Sequence, residues 1–472
     1  MHAPLLILPL VLAASTQDVS PPVPAVQTAR FAGPDLVPSP ACLAVAATGE
    51  VFVGVDTIGS LGKQAGRGRV VRLVDTDGDG VVDEHTTFVT LDNPRGLLPL
   101  GDELLVLYTT FGPNPEFVEG GEGTAGLAEV ATGMDLVAFT DADRDGVADG
   151  EPRLLFRNIS TPKFVAGRGT DHATNGITLG IDGWIYIAVG DFGFHGAVDA
   201  EGNEHTMLGG GIWRIRPDGT EAELYTHGMR NIYDVAIDPY LNVFTRGNTN
   251  DGGGWNVRFV HHLQTGWYGY PTLFKHFTHE TLPALVDVGG GSGTGALFLD
   301  DDRWPGDWDD TPLMADWGQS KLYAHRVTPD GASFRQTDEP LLDVPQITDL
   351  GVEDGIEVTG RERLPNPNNS AVIFCGNHPN SLLDPVLMTA WCGRVVHFAA
   401  KDVLFSVPIL GQLLRLMGAV PIRRRMDHGG GSQSNDDAFR DLRQVLFEGR
   451  AMGIFPEGIS HDESQLAPLK TG

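Results

Sequence analysis

The stretch Ile177-Thr-Leu-Gly-Ile-Asp-Gly-Trp-Ile-Tyr-Ile187 sets two short apolar runs on either side of a turn rich in Gly and Asp. Strand-forming residues around such a turn predict a tight antiparallel hairpin. The same pattern stands at Leu43–Val53, Gly96–Tyr108, Val235–Phe244 and Ala296–Trp317. The starts lie roughly 50–80 residues apart, an irregular period that predicts propeller blades. A content of 61 glycines suits that many turns, and no long amphipathic helix is predicted in this part of the chain. A sixth start, Ile347-Thr-Asp-Leu-Gly-Val-Glu-Asp-Gly355, lacks its second strand. The prediction is an all-β, incomplete six-bladed ring over residues 20–354, with strand edges left open.

From Gly355 the rhythm changes. Ile356–Gly360, Ala371–Cys375, Val395–Ala399 and Met452–Phe455 read as short buried strands. Helical stretches fall at Pro385–Trp391, Asp402–Met417 and Asp436–Glu448, the last two opening on an Asp suited to an N-cap. Strand and helix in alternation predict an α/β domain over 355–472, cut short at its C-terminus. Charge divides at the same place. Residues 1–354 carry 21 Lys+Arg against 50 Asp+Glu, while 355–472 carry 12 of each. An acidic first part argues against nucleic acid as a partner and favours cations or neutral ligands. The three cysteines, Cys42, Cys375 and Cys392, form neither a zinc spacing nor a disulfide framework. Residues 1–19 hold an apolar run, Leu5–Ala14, followed by small residues, which reads as an export signal.

Two acidic loops carry metal chemistry. Asp75, Asp77, Asp79 and Asp83 occupy positions 1, 3, 5 and 9 of one loop, with Gly80 at position 6. Asp141, Asp143, Asp145 and Asp149 repeat the spacing around Gly146. A hard cation such as Ca²⁺ needs several oxygens around one centre, which this spacing can supply. The closing Glu of an EF-hand is missing, since Thr86 and Pro152 stand at position 12. The alternative is a solvated acidic turn.

Gly169-Thr-Asp171-His172-Ala-Thr-Asn175-Gly176 and Gly228-Met-Arg230-Asn231 each precede a strand pair, where propellers present loops at the channel. On these segments residues 40–350 resemble the soluble sugar dehydrogenases that use pyrroloquinoline quinone, and the related sorbosone-dehydrogenase-like propellers. The resemblance implies that His172 takes the proton of a substrate hydroxyl and that Arg230, beside Asn231, contacts the quinone. It also implies a Ca²⁺ site near Asn248–Asp251. A binding or scaffold propeller with an inert His172 is the competing reading.

In the second part, Gly376-Asn377-His378-Pro-Asn-Ser-Leu-Leu-Asp384 puts a base near a carboxylate that can orient it. Arg423-Arg424-Arg425 follows Val420-Pro-Ile422 as an anion clamp, and Glu457 follows the last strand. Asn377-His378…Asp384, Gly418…Arg424 and Phe455-Pro-Glu457-Gly458 match, in order, the motifs of the glycerol-phosphate and lysophosphatidate acyltransferase family, which residues 355–472 resemble throughout. Lys401-Asp-Val-Leu-Phe…Pro408…Gly411 resembles the segment between its first two motifs. That family implies transfer of an acyl group from acyl-CoA or acyl carrier protein to a glycerol-phosphate or lysophospholipid hydroxyl, with no cofactor. His378 is then the base, Asp384 its orienter, Arg424 with Arg425 the phosphate holder, and Glu457 with Gly458 the wall of the acceptor pocket. Val403–Leu416 is expected to lie on a membrane surface. Five residues separate His378 from Asp384, one more than the family commonly shows.

The two halves imply different places. An export signal sends the chain to the periplasm or beyond, whereas acyl transfer belongs at the cytoplasmic face of a membrane. With two part-domains meeting at Asp354-Gly355, the sequence raises the expectation of a fusion of unrelated pieces, accidental in origin. An exported propeller with a passive tail is the alternative to a working acyltransferase.

Overall fold

The structure is a computed structural model. It describes residues 28–57, 62–248, 256–272, 277–300, 304, 308, 310–352, 371–375, 395–408, 410–416, 418–422 and 436–454. The chain divides into two compact units, Met1–Gly355 and Ile356–Gly472.

The first unit repeats one antiparallel sheet five times. Blade 1 is β1 (Pro40–Val45), β2 (Val51–Asp56), β3 (Gly68–Val74) and β4 (Glu84–Val89). Blade 2 is β5 (Gly96–Leu100), β6 (Glu103–Pro113), β7 (Glu129–Thr140) and β8 (Asp149–Arg157). After the short helix α1 (Pro162–Arg168), blade 3 is β9 (Thr174–Leu179), β10 (Ile185–Val189), β13 (Gly210–Ile215) and β14 (Glu223–Met229). Between β10 and β13 the chain throws out a hairpin, β11 (Phe194–Asp199) and β12 (Glu204–Met207). That hairpin joins blade 2 rather than blade 3, through Val198↔Arg157 and Asp199↔Phe156. Blade 4 is β15 (Ala236–Ile237), β16 (Val243–Asn248), β17 (Asn256–His262) and β18 (Val286–Gly290). Blade 5 is β19 (Gly293–Leu299), β20 (Thr311–Asp316), β21 (Lys321–Asp330) and β22 (Ser333–Asp343).

The five hairpins legible in the sequence are the two inner strands of each blade. Side chains from these hairpins and from the strands outside them fill the spaces between blades. Cys42, Phe52 and Val70 of blade 1 pack on Leu104, Val106 and Phe139 of blade 2. Leu105, Met134 and Phe156 pack on Ile185, Ile187 and Trp213 of blade 3. Tyr186, Ile212 and Tyr225 meet Val243, Val260 and Tyr268 of blade 4, whose Phe244 and Phe259 meet Met314 of blade 5. Each such side chain contributes about 1.5–3 kcal/mol of burial, so the interfaces between blades, not single sheets, hold the unit together.

The two faces that a sixth blade would separate are covered differently. Ile347, Leu350 and Val352 pack on blade 5, and Phe31, Ala32 and Val37 pack on blade 1. Residues 347–352 form no strand, although the sequence read them as the start of a sixth hairpin with strand edges left open; they instead bridge blade 5 to blade 1. Thr294 Oγ1 donates to Ile347 O at 2.8 Å, Thr348 Oγ1 donates to Pro40 O at 3.2 Å, and Leu43 N donates to Asp349 Oδ2 at 2.8 Å. The inner strands of all five blades, with residues 349–352, line one cavity of about 470 Å³.

The second unit is a parallel sheet of β23 (Val372–Cys375), β24 (Val396–Lys401), β25 (Val420–Ile422) and β26 (Ala451–Ile454), in the order β23-β26-β24-β25. Helix α2 (Leu410–Leu416) leads into β25 and α3 (Asp436–Phe447) leads into β26. The predicted strand 356–360 and helix 385–391 lie outside the described residues. The sequence also predicted one helix from Asp402 to Met417. The chain instead makes a 3-10 turn over Asp402–Ser406 and starts α2 only after Pro408, because a proline inside that span removes a backbone donor and restricts its predecessor. Among the described residues, no helix is long and apolar enough to cross a membrane.

Candidate functional site

The first candidate lies where β9 and β15 begin. Helix α1 ends at Gly169, and the next four residues turn back toward β10, with Gly190 N donating to Ala173 O at 2.7 Å and Phe192 N to His172 O at 3.1 Å. His172 is thereby buried and stacked on Phe192, ring centroids 5.5 Å apart. Its Nδ1 is hydrogen-bonded to Asp191 Oδ1, and its Nε2 lies 3.2 Å from Arg168 Nη2. A guanidinium can only donate, so Nε2 is the acceptor and Nδ1–H donates to Asp191. The imidazole is held in the tautomer that leaves Nε2 as the basic atom. Tyr270 Oη reaches Asp191 Oδ2 at 3.5 Å.

Arg230 and Asn231 come to the same place. Asn231 Nδ2 donates to Asp171 O at 2.9 Å, and Asn231 pairs with Asn248 across a single antiparallel bridge. Arg230 is buried, its Nη1 donating to Asn248 Oδ1 at 2.5 Å. A Cβ at Gly190 would stand 2.4 Å from His172 O and 2.5 Å from Asn231 Oδ1, so only glycine lets these segments meet. Asn231 Oδ1 is buried and lacks a hydrogen-bond partner among the described residues. A bound cation or N–H group would satisfy it, and Arg168 beside the imidazole, with Arg230 next to Asn231 in sequence, supplies the positive charge that an anionic group needs. These residues therefore fit an anionic cofactor with a cation beside it. Of the predicted segment Asn248–Asp251, only Asn248 falls within the described residues. Sequence reasoning missed Asp191, Arg168 and Tyr270. Asp191 had one signal, a carboxylate just past a buried apolar strand.

The acidic loops join equivalent strands of successive blades, β3 to β4 and β7 to β8. Asp75 accepts from Gly78 N and Gly80 N, both at 2.8 Å, while Asp141 accepts from Asp145 N at 3.1 Å and Gly146 N at 3.0 Å. Carboxylate oxygens of Asp75, Asp77 and Asp83 lie within 4.8 Å of one another, as do those of Asp141, Asp143 and Asp149. Asp79 and Asp145 instead accept from Val81 N and Val147 N. The backbone bond from Gly80 holds the Asp75 carboxyl below its usual range, and the Thr76 hydroxyl does the same for Asp83. All-oxygen clusters of this kind suit a hard divalent cation.

The second candidate follows from the parallel sheet. Cys375 pairs with Ile454, Phe398 with Gly453, Ala399 with Val420 and Lys401 with Ile422. The four carboxyl ends therefore share one edge, within about two residues of each other. His378, Asp384, Arg424, Arg425, Glu457 and Gly458 lie outside the described residues. In sequence, His378 comes three residues after β23, Arg424 two after β25 and Glu457 three after β26. The outer edge formed by strand carboxyl ends is where open α/β sheets bind ligands.

The larger unit is thus a propeller-like ring with a buried histidine–carboxylate pair, and the smaller an α/β domain. Residues 23–118 and 125–343 match the family described as Domain of unknown function (DUF7133), and the chain belongs to that family. Residues 355–472 match the family described as Acyltransferase. Over 117 residues the chain is 32% identical to the chloroplastic 1-acyl-sn-glycerol-3-phosphate acyltransferase LPAT1 of Arabidopsis thaliana, covering 25% of this chain and 31% of the relative. Over 119 residues it is 33% identical to the 1-acyl-sn-glycerol-3-phosphate acyltransferase of Borreliella burgdorferi, covering 25% and 44%. The chain thus spans under half the length of these curated relatives. Among solved structures, it is similar to the quinone-bound aldose sugar dehydrogenase of Streptomyces coelicolor (17% identity, 71% of this chain and 89% of that one, TM-score 0.48). It is also similar to the pyranose dehydrogenase quinone domain of Coprinopsis cinerea (10% identity, 66% and 80%, TM-score 0.37).

Proposed function

We propose that residues 355–472 transfer a fatty acyl group from an acyl thioester to the free hydroxyl of a glycerol phosphate or lysophospholipid. The observation that carries this reading is the common edge: three segments bearing the matched motifs continue directly from the carboxyl ends of one parallel sheet. His378 takes the hydroxyl proton, the alkoxide oxygen bonds to the thioester carbonyl carbon, and the carbon–sulfur bond breaks as the proton passes to the leaving thiol. Asp384 orients the imidazole, Arg424 and Arg425 hold the acceptor phosphate, and Glu457 and Gly458 wall the acceptor pocket. Val403, Val407, Leu413 and Leu416 are exposed along Asp402–Leu416, which supports contact with a membrane surface, where the lipid product partitions. Acylation of sn-glycerol 3-phosphate and of lysophosphatidate by the full chain tests the reading. His378→Ala is expected to lower the rate by about 10²–10⁴, the usual worth of a general base. Equal rates in the two proteins would refute the assignment.

A second reading concerns the propeller, and the His172–Asp191 pair favours it. His172 Nε2 takes the proton of a sugar or alcohol hydroxyl, Asp191 steadies the imidazolium, and Arg168 moves off Nε2 as substrate enters. Arg168, Arg230 and Asn231 would hold pyrroloquinoline quinone with Ca²⁺, which supply the electron acceptor when bound. Dye reduction by the quinone-loaded protein with sugars is expected to disappear in His172→Ala. Persistence of the signal would leave the propeller as a binding module.

A further inference from the structure

β24 lies between β26 and β25, and one buried side chain on it touches the approach to both. His397 Nδ1 is 2.9 Å from Gly418 O, and its Nε2 is 3.2 Å from Arg450 Nη1. The guanidinium can only donate, so Nε2 accepts and Nδ1–H donates to the Gly418 carbonyl. Gly418 has φ +74° and closes α2 by donating its N–H to Arg415 O at 3.1 Å. A Cβ there would stand 2.5 Å from His397 Nδ1. Two residues later β25 begins, and it ends at Ile422, directly before Arg423-Arg424-Arg425. Arg450 is the residue before β26, which ends at Ile454, directly before Phe455-Pro-Glu457-Gly458. Arg450 N also donates to Val445 O at 3.0 Å, so the residue is fixed to the end of α3.

We propose that His397 is a positioning residue: from the amino-terminal edge of the sheet it ties β25 to β26 through the Gly418 carbonyl and the Arg450 guanidinium. It thereby fixes the relative advance of Ile422 and Ile454, the strand ends after which the arginine triplet and the Phe-Pro-Glu-Gly segment follow in sequence. Strands are stiff along their length, so a slip at the entry is carried to the exit. This inference rests on the acyl-transfer reading for its functional consequence, but its structural core stands apart from it.

The test compares the full chain with His397→Ala and His397→Asn, whose amide can take the place of Nδ1–H. Hydrogen exchange followed by mass spectrometry is expected to accelerate about tenfold over residues 418–422 and 450–454 in His397→Ala, the effect of one part-buried hydrogen bond lost at each of the two strands. Val372–Cys375 is expected to exchange as before, and His397→Asn to restore protection at 418–422. In the acylation assay the acceptor KM is expected to rise about tenfold in His397→Ala with kcat little changed, and to recover in His397→Asn. Unchanged exchange, or acceleration spread evenly over β23–β26, overturns the proposal. An inactive wild type overturns the acyl-transfer reading, and the exchange pattern still decides whether His397 ties the two strands.

Discussion

Replacing Asp349 with asparagine is expected to change how stability depends on pH. The carboxylate closes the ring, accepting from Leu43 N and from Leu350 N, each at 2.8 Å, one on each oxygen. It lines the central cavity together with Asp234, whose oxygens accept from Thr178, Val235 and Ala296. Encirclement by protein pushes the Asp349 carboxyl up to about 7, against the two backbone donors and Arg95, which favour its charged form. Asp234 is raised too, by burial first and then by Asp349. Between about pH 4 and pH 7 the folded protein therefore keeps a proton that the unfolded chain has released. Stability is full below that window and falls as pH rises through it, by at most about 1.4 kcal/mol per pH unit for one proton. Water reaching the cavity wall makes the slope shallower. An asparagine side chain does not titrate, so this position's share of the slope vanishes. The amide nitrogen that replaces one carboxylate oxygen cannot accept, so one part-buried N–H loses its partner at a cost of about 0.5–1.5 kcal/mol. Asp349→Asn should be the less stable protein at pH 5, and the gap should shrink or reverse by pH 8. Urea unfolding followed by tryptophan fluorescence reads this unit, since seven of the eight tryptophans lie in it. Parallel stability–pH curves for the two proteins would refute the reasoning.

Two further outcomes are expected. Ca²⁺ should raise the melting temperature of the propeller, and the combined change Asp75→Asn with Asp141→Asn should abolish the rise; an equal rise in that variant rejects the loops as the binding sites. Trypsin should release Gln336–Arg361 across the join from any cell that makes the chain as one product, and its absence beside peptides from both halves would favour two separate products.

The inner hairpins were legible because each sets an apolar run on either side of a Gly- or Asp-rich turn, and in β10 that run, Ile185–Val189, is buried along its whole length. The outer strands were not. Glu84–Val89 and Ser333–Asp343 mix polar and charged residues with part-exposed positions, and backbone pairing more than burial makes them strands. The His172 segment stood out by its own residues. Its partner Asp191 lies 19 positions away and arrives only because β10 folds back on β9. In the second unit each motif could be read, but not the registry that brings the strand ends to one edge. That depends on β26 inserting between β23 and β24, an order no local pattern encodes.

The stray hairpin β11–β12 couples neighbours in a way a simple ring would not. It leaves blade 3 three residues after Asp191 and is stitched to β8, while Phe194 packs on Phe156 and Trp213. Neither blade can loosen without straining the other, so the pair should open and exchange as a single cooperative block. The carboxylate that steers His172 is thus moored at the seam between two blades, and a disturbance on the rim of blade 2 has a direct mechanical line to it.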